Sequence, residues 1–184
     1  MKALKWIIGI VLVLLVGGYF GFDYMKQETK KHSPQETINY NAGDFSMSVT
    51  YSRPYKKGRE IFGDLVPYEK VWRTGANEPT IFKCNQTVTI GDQDLPAGTY
   101  TLWTIPYSSQ WTVIWNSKQY GWGVGLDGEP SRDEEYDVLK INVPTSDTKN
   151  TVEQFTIDFQ YHVNMRMAWD DTQVMVPMMY GFGG

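Results

Sequence analysis

Phe45-Ser46-Met47-Ser48-Val49-Thr50-Tyr51 sets a large apolar side chain against a small polar one at every second residue. That period belongs to a strand with one buried face. The alternation returns at Phe155, Ile157, Phe159 and Tyr161, and again at Met165, Met167 and Trp169. Val174, Val176 and Met178 read as a last strand after an Asp170-Asp171-Thr172-Gln173 turn. Further strands are expected near 80–84, 86–91, 99–105, 110–116 and 137–143. Between them, Gly91-Asp92-Gln93-Asp94 suits a short hairpin, and Leu95-Pro96-Ala97-Gly98 carries Pro and Gly where a type I turn prefers them. Short strands at this spacing predict an all-β fold, an antiparallel β-sandwich (jelly-roll-like) of eight or nine strands over residues 44–184.

The N-terminus is of a different kind. Lys2 and Lys5 precede a run without charge from Trp6 to Phe22, closed by Asp23. As a helix the run is about 26 Å long, close to the ~30 Å hydrocarbon core of a bilayer. It is apolar all round, unlike the striped helix of a soluble core. Residues 1–22 are read as a signal anchor, a transmembrane helix; a cleaved signal peptide and a buried helix are the alternatives. Gly17-Gly18 is a poor cleavage signal, because apolar character resumes at Tyr19-Phe20. The basic N-terminal flank predicts that the chain after the helix is exported, to the periplasmic or outer side of the cytoplasmic membrane. Residues 23–43, polar and broken at Ser33-Pro34, are expected to form a juxtamembrane stalk.

Composition excludes several functions. A formal charge of −4 and a pI of 5.2 argue against a nucleic-acid partner. One cysteine, Cys84, forbids an intrachain disulfide and a Cys-based metal site, and two histidines leave little for another metal site. No cofactor is expected.

Several blocks carry a resemblance. Tyr51-Ser52-Arg53-Pro54, Lys57-Gly58-Arg59-Glu60-Ile61-Phe62-Gly63, Val71-Trp72-Arg73-Thr74-Gly75-Ala76-Asn77-Glu78 and Leu95-Pro96-Ala97-Gly98-Thr99-Tyr100 resemble the bacterial domain-of-unknown-function family 2911 (DUF2911) over about residues 44–178. The resemblance implies an exported β-rich domain, often with a cleavable signal, and implies no activity.

The densest polar stretch, 51–78, holds Arg53, Lys56, Lys57, Arg59, Lys70 and Arg73 in an acidic protein. Arginine's planar fork suits a carboxylate or phosphate. The expected ligand-binding residues are Arg53, Trp72, Arg73, Thr74, Asn77 and Glu78, for a small anionic or carbohydrate ligand. The competing structural reading makes Arg53 and an Arg73–Glu78 pair internal ties. A hydrolase-like site using Glu78 or His162, the latter near Asp158, is an enzymatic alternative, and an envelope scaffold without ligand is a third. The Gln119–Gly125 loop offers aromatics either for stacking or for capping the core. The acidic run 127–137 reads as a solvated connection rather than a calcium loop, and Cys84 as a buried thiol.

Overall fold

The structure is a computed structural model describing residues 2–125, 127–161 and 163–181, with side chains from Lys5 onward. His162 therefore lies outside the described residues. The chain divides into two compact units, Met1–His32 and Ser33–Gly184.

The first unit is one helix, α1 (Lys2–His32). Its stretch from Lys5 to His32 is long and apolar enough to cross a membrane. It has the character of a membrane anchor or a signal sequence. The helix runs on past Phe22 into the segment expected to be a stalk. There Gln27 donates to Asp23 one turn back, and Lys31 pairs with Glu28 at 2.6 Å. Lys30, Lys31 and His32 close the last turn, where cations favour the helix dipole. Pro34 restricts Ser33 to extended backbone and ends the helix there.

Among the described residues the second unit holds ten strands rather than the eight or nine expected: β1 (Gln35–Ala42), β2 (Phe45–Ser52), β3 (Thr80–Cys84), β4 (Val88–Ile90), β5 (Gln93–Leu95), β6 (Gly98–Pro106), β7 (Gln110–Asn116), β8 (Asp137–Gln160), β9 (Asn164–Val176) and β10 (Met178–Tyr180). Seven form an antiparallel sheet in the order β1-β2-β3-β6-β7-β8-β9, and three form a second sheet in the order β10-β4-β5. The curled large sheet and the small one make an antiparallel sandwich. Within the large sheet most neighbours follow each other along the chain, as in a meander.

Two expectations need correction. Residues 35–42 are not stalk but strand β1, paired along its whole length with β2. Only Ile38 and Tyr40 carry apolar weight on its inner face, too few to betray a strand among polar residues. Residues 170–173 are not a turn between strands: they lie inside β9. Asp170 takes a left-handed φ of 58° at a register break opposite Val152. Asp tolerates that conformation better than most residues, and its carboxylate is held by Lys56.

β8 has 24 residues, and straight it would reach about 80 Å. Breaks in register near Val152 bend it. Its first part pairs with β7 and its second with β9. The bend brings β8 back towards the end of β2. There Tyr51 donates its hydroxyl to Ile157 O at 3.1 Å and accepts from Ile157 N at 2.9 Å. A side chain thus completes the pairing of a backbone edge. Below, Phe155 N donates to Pro54 O, and Gln154 donates to Arg53 O.

Tyr51→Phe should cost about 2 kcal/mol, since both polar groups of buried Ile157 lose their partner; denaturant titration measures it. Burial pushes the Tyr51 phenol up to about 12 from its ordinary 10.0. A group raised on folding stabilises in full below its unfolded value and loses that contribution as pH rises through the folded one. Alkaline destabilisation is therefore expected between pH 10.0 and about 12, and should shrink in Tyr51→Phe.

Beneath the large sheet lies an aromatic cluster. The Trp72 indole stacks on Trp169 with 6.0 Å between centroids and meets Phe155 edge-on at 4.9 Å. Phe62 and Trp111 complete it at 5.0 Å from each other. Burial of this size dominates the stability of a domain.

Candidate functional site

Between Ser52 and Thr80 the chain runs through residues 53–79 without a regular element. Connections this long are uncommon in compact domains and are often functional. This one is anchored rather than loose. Ile61 and Val66 are buried, with Val66 N donating to Ile61 O at 2.8 Å. Trp72 exchanges two backbone hydrogen bonds with Thr104 of β6, at 2.7 and 2.9 Å. Glu69 N donates to Pro106 O at 2.8 Å.

The backbone is strained where the polar block lies. Thr74 has φ 55° and Asn77 has φ 62°, with Gly75 at 147° between them. A β-branched residue in the left-handed region is a true outlier. Such strain survives only when surrounding contacts enforce it, and it gathers at functional sites. The enforcing contacts are visible. Thr80 Oγ1 donates to Thr74 O at 2.6 Å, the hydroxyls of Thr74 and Thr104 share a hydrogen bond of 3.2 Å, and Trp72 Nε1 donates to Gly75 O at 3.0 Å.

Over this segment lie residues 119–125 and 127–131. Gly123 N donates to Asn77 O at 3.0 Å. A Cβ at Gly123 would overlap Arg73 Cδ and sit 2.9 Å from Asn77 O, so only glycine allows this approach. Further along, Val124 bridges Pro130. The two segments enclose a cavity of about 500 Å³. Leu65, Pro67, Val71, Trp72, Val124 and Pro130 give it apolar walls, and Glu69, Lys70, Arg73 and Glu129 give it charge.

Arg73 is the unusual member. Its Nε is buried without a hydrogen-bond partner, and it makes no ion pair among the described residues. Burial pushes its guanidinium below the ordinary arginine range, yet arginine stays protonated at neutral pH.

The structure separates the other expected residues. Trp72 shares the cavity with Arg73, its ring otherwise packed into the aromatic cluster. Thr74 and Asn77 are buried and shape the backbone. Glu78 is half-buried and does not line this cavity. Arg53 faces elsewhere: it pairs with Glu36 at 2.7 Å and donates to Phe155 O and Thr156 Oγ1 at 3.1 and 2.9 Å. It ties β1 and β2 to β8.

One other reading changes. The acidic run 127–137 is not simply solvated, because Asp137 is buried against Arg132. Among the described residues no group of three or more His, Cys, Asp or Glu is placed to hold a metal. Cys84 is buried, and burial pushes its thiol up, away from reactivity.

The family described as "Protein of unknown function (DUF2911)" matches residues 33–178. The chain belongs to the DUF2911 family. The match starts before residue 44 and so includes β1. Both walls of the cavity fall inside the DUF2911 domain. No curated protein and no solved structure matches the chain.

Proposed function

We propose that this DUF2911 protein is a membrane-anchored binding module for a small organic anion, with Arg73 as the anion's partner. One observation carries the reading: a half-buried arginine whose Nε is enclosed without a hydrogen-bond partner and which makes no ion pair among the described residues, set in the wall of a cavity with apolar sides. A cation drawn partly out of water without a counter-charge is costly. An incoming carboxylate or phosphate would supply that charge and accept two parallel hydrogen bonds. A carbohydrate is less suited, since the Trp72 face that could stack on a sugar is already stacked on Trp169. The reading puts the domain on the outer side of the membrane because Lys2 and Lys5 lie on the short flank of the helix, a modest bias against Lys26, Lys30 and Lys31 on the other flank.

The test is thermal unfolding of the full chain in detergent micelles, with small carboxylates, phosphates and saccharides. A ligand at 100-fold its Kd adds about 2.7 kcal/mol. An anion should raise the midpoint, and Arg73→Gln should abolish the rise. Without ligand, Arg73→Gln is expected to be neutral or stabilising, because it removes a desolvated charge. Arg53→Gln should destabilise, because Phe155 O and Thr156 Oγ1 lose their donor and Glu36 its ion pair. A retained ligand shift in Arg73→Gln, or none with any anion, refutes the reading.

A further inference from the structure

The charge of the cavity is balanced. Arg73 and Lys70 stand against Glu69 and Glu129, all four lining one space. None of these side chains is paired with another charge among the described residues. Opposite charges in one cavity ordinarily pair with each other when they can reach. Here the arginine is half-buried with its Nε enclosed, while Glu69, Lys70 and Glu129 are exposed. A phosphate-rich ligand would meet two carboxylates against the single Lys70 there and be repelled on balance. A neutral apolar ligand would cover the half-buried guanidinium and leave it unpaired.

We infer that the ligand is a zwitterion with an apolar body, the chemistry of an apolar amino acid or short peptide with free ends. Its carboxylate lies on Arg73, its ammonium faces Glu69 and Glu129, and its side chains lie on Leu65 and Val124. This rests on the anion reading above and adds an ammonium subsite and an apolar subsite to it. A cavity of about 500 Å³ is within the range of small-molecule sites and has room for a dipeptide. The two subsites come from different parts of the chain. Arg73 and Glu69 belong to the 53–79 connection and Glu129 to the loop that Gly123 lays over it, so full recognition needs both segments in place.

The experiment compares three compounds by calorimetric titration of the full chain in detergent: dileucine, N-acetyl-dileucine and dileucine amide. The first has both charges, the second only the carboxylate, the third only the ammonium. Dileucine should bind about tenfold more tightly than either blocked form. Its affinity should fall above about pH 8 as the terminal amine deprotonates, while that of N-acetyl-dileucine holds. The double change Glu69→Gln, Glu129→Gln alters exposed residues and leaves the fold intact. It should weaken dileucine about tenfold, whereas N-acetyl-dileucine, relieved of two like charges, should bind as tightly as before or more tightly. If N-acetyl-dileucine binds as tightly as dileucine and Arg73→Gln abolishes both, the ammonium subsite is wrong and the anion reading stands. If none of the three binds and no small anion does, both fail.

Discussion

Asp137→Ala should destabilise the sandwich by about 3–5 kcal/mol, the usual loss when one member of a buried ion pair is removed. Arg132 donates to both Asp137 oxygens, at 3.1 and 2.9 Å, and the two side chains are 3% and 5% exposed. Asn116, itself fully buried, donates to the same carboxylate at 2.8 Å. The variant leaves Arg132 enclosed with Glu134 as its remaining partner, and that carboxylate is 74% exposed and therefore weak. Burial alone would push Asp137 up; hydrogen bonds from Arg132, Lys140 and Asn116 outweigh it and hold the carboxyl below its ordinary 3.8. A carboxyl lowered on folding stabilises above its unfolded value and loses that contribution as pH falls through the folded one. Wild type should therefore lose stability below about pH 3.8 more steeply than the variant. Replacing both partners, Arg132→Met with Asp137→Leu, should recover most of the loss. Denaturant titration of the three proteins decides it. A single variant within about 1 kcal/mol of wild type would show that Asp137 has access to water.

The sandwich was legible in the sequence because most of its strands bury one face. Phe45, Met47, Val49 and Tyr51 all point inward, as their alternation predicts. β1 was not legible, since its two apolar residues sit among Gln, Glu, Thr and Asn and borrow their core from neighbours. The continuity of β8 was hidden for the opposite reason: Thr145–Gln154 is polar and reads as a connection, while the register breaks that bend it depend on partners far along the chain. At the site, the polar block around Arg73 was legible as a feature. Which arginine is tied was not, because Arg53 meets Glu36 across the unforeseen β1–β2 pair, and Phe155 and Thr156 only after β8 has curled back. Glu129 and Val124 belong to the cavity through the approach of Gly123 to Arg73, a contact between distant segments. The Gly-aromatic spacing of 119–125 was its one local sign.

Gly75→Ala is the second large effect expected, about 3–5 kcal/mol. At φ 147° an L side chain is strained whatever space it has. Space is absent as well: a Cβ would lie 2.7 Å from Ser52 O and 3.5 Å from Thr80 Oγ1. Ser52 O belongs to the end of β2, whose partner is Gln35, so it yields only by loosening that pair. Relief on the other side would move Gly75 O away from Trp72 Nε1 and Thr74 away from Thr80. Both contacts hold the backbone on either side of Arg73. The substitution should thus act on function at a distance: any folded fraction should bind the anion more weakly, with Arg73 itself unchanged. Denaturant titration reads the first effect, and ligand titration at a temperature where the variant is still folded reads the second. Equal stability in variant and wild type would mean that Gly75 does not need its left-handed conformation. Lost stability with unchanged affinity would show that Arg73 is positioned by Trp72 and Gly123 rather than by the strained turn. The two readouts therefore separate the turn's part in the fold from its part in the site.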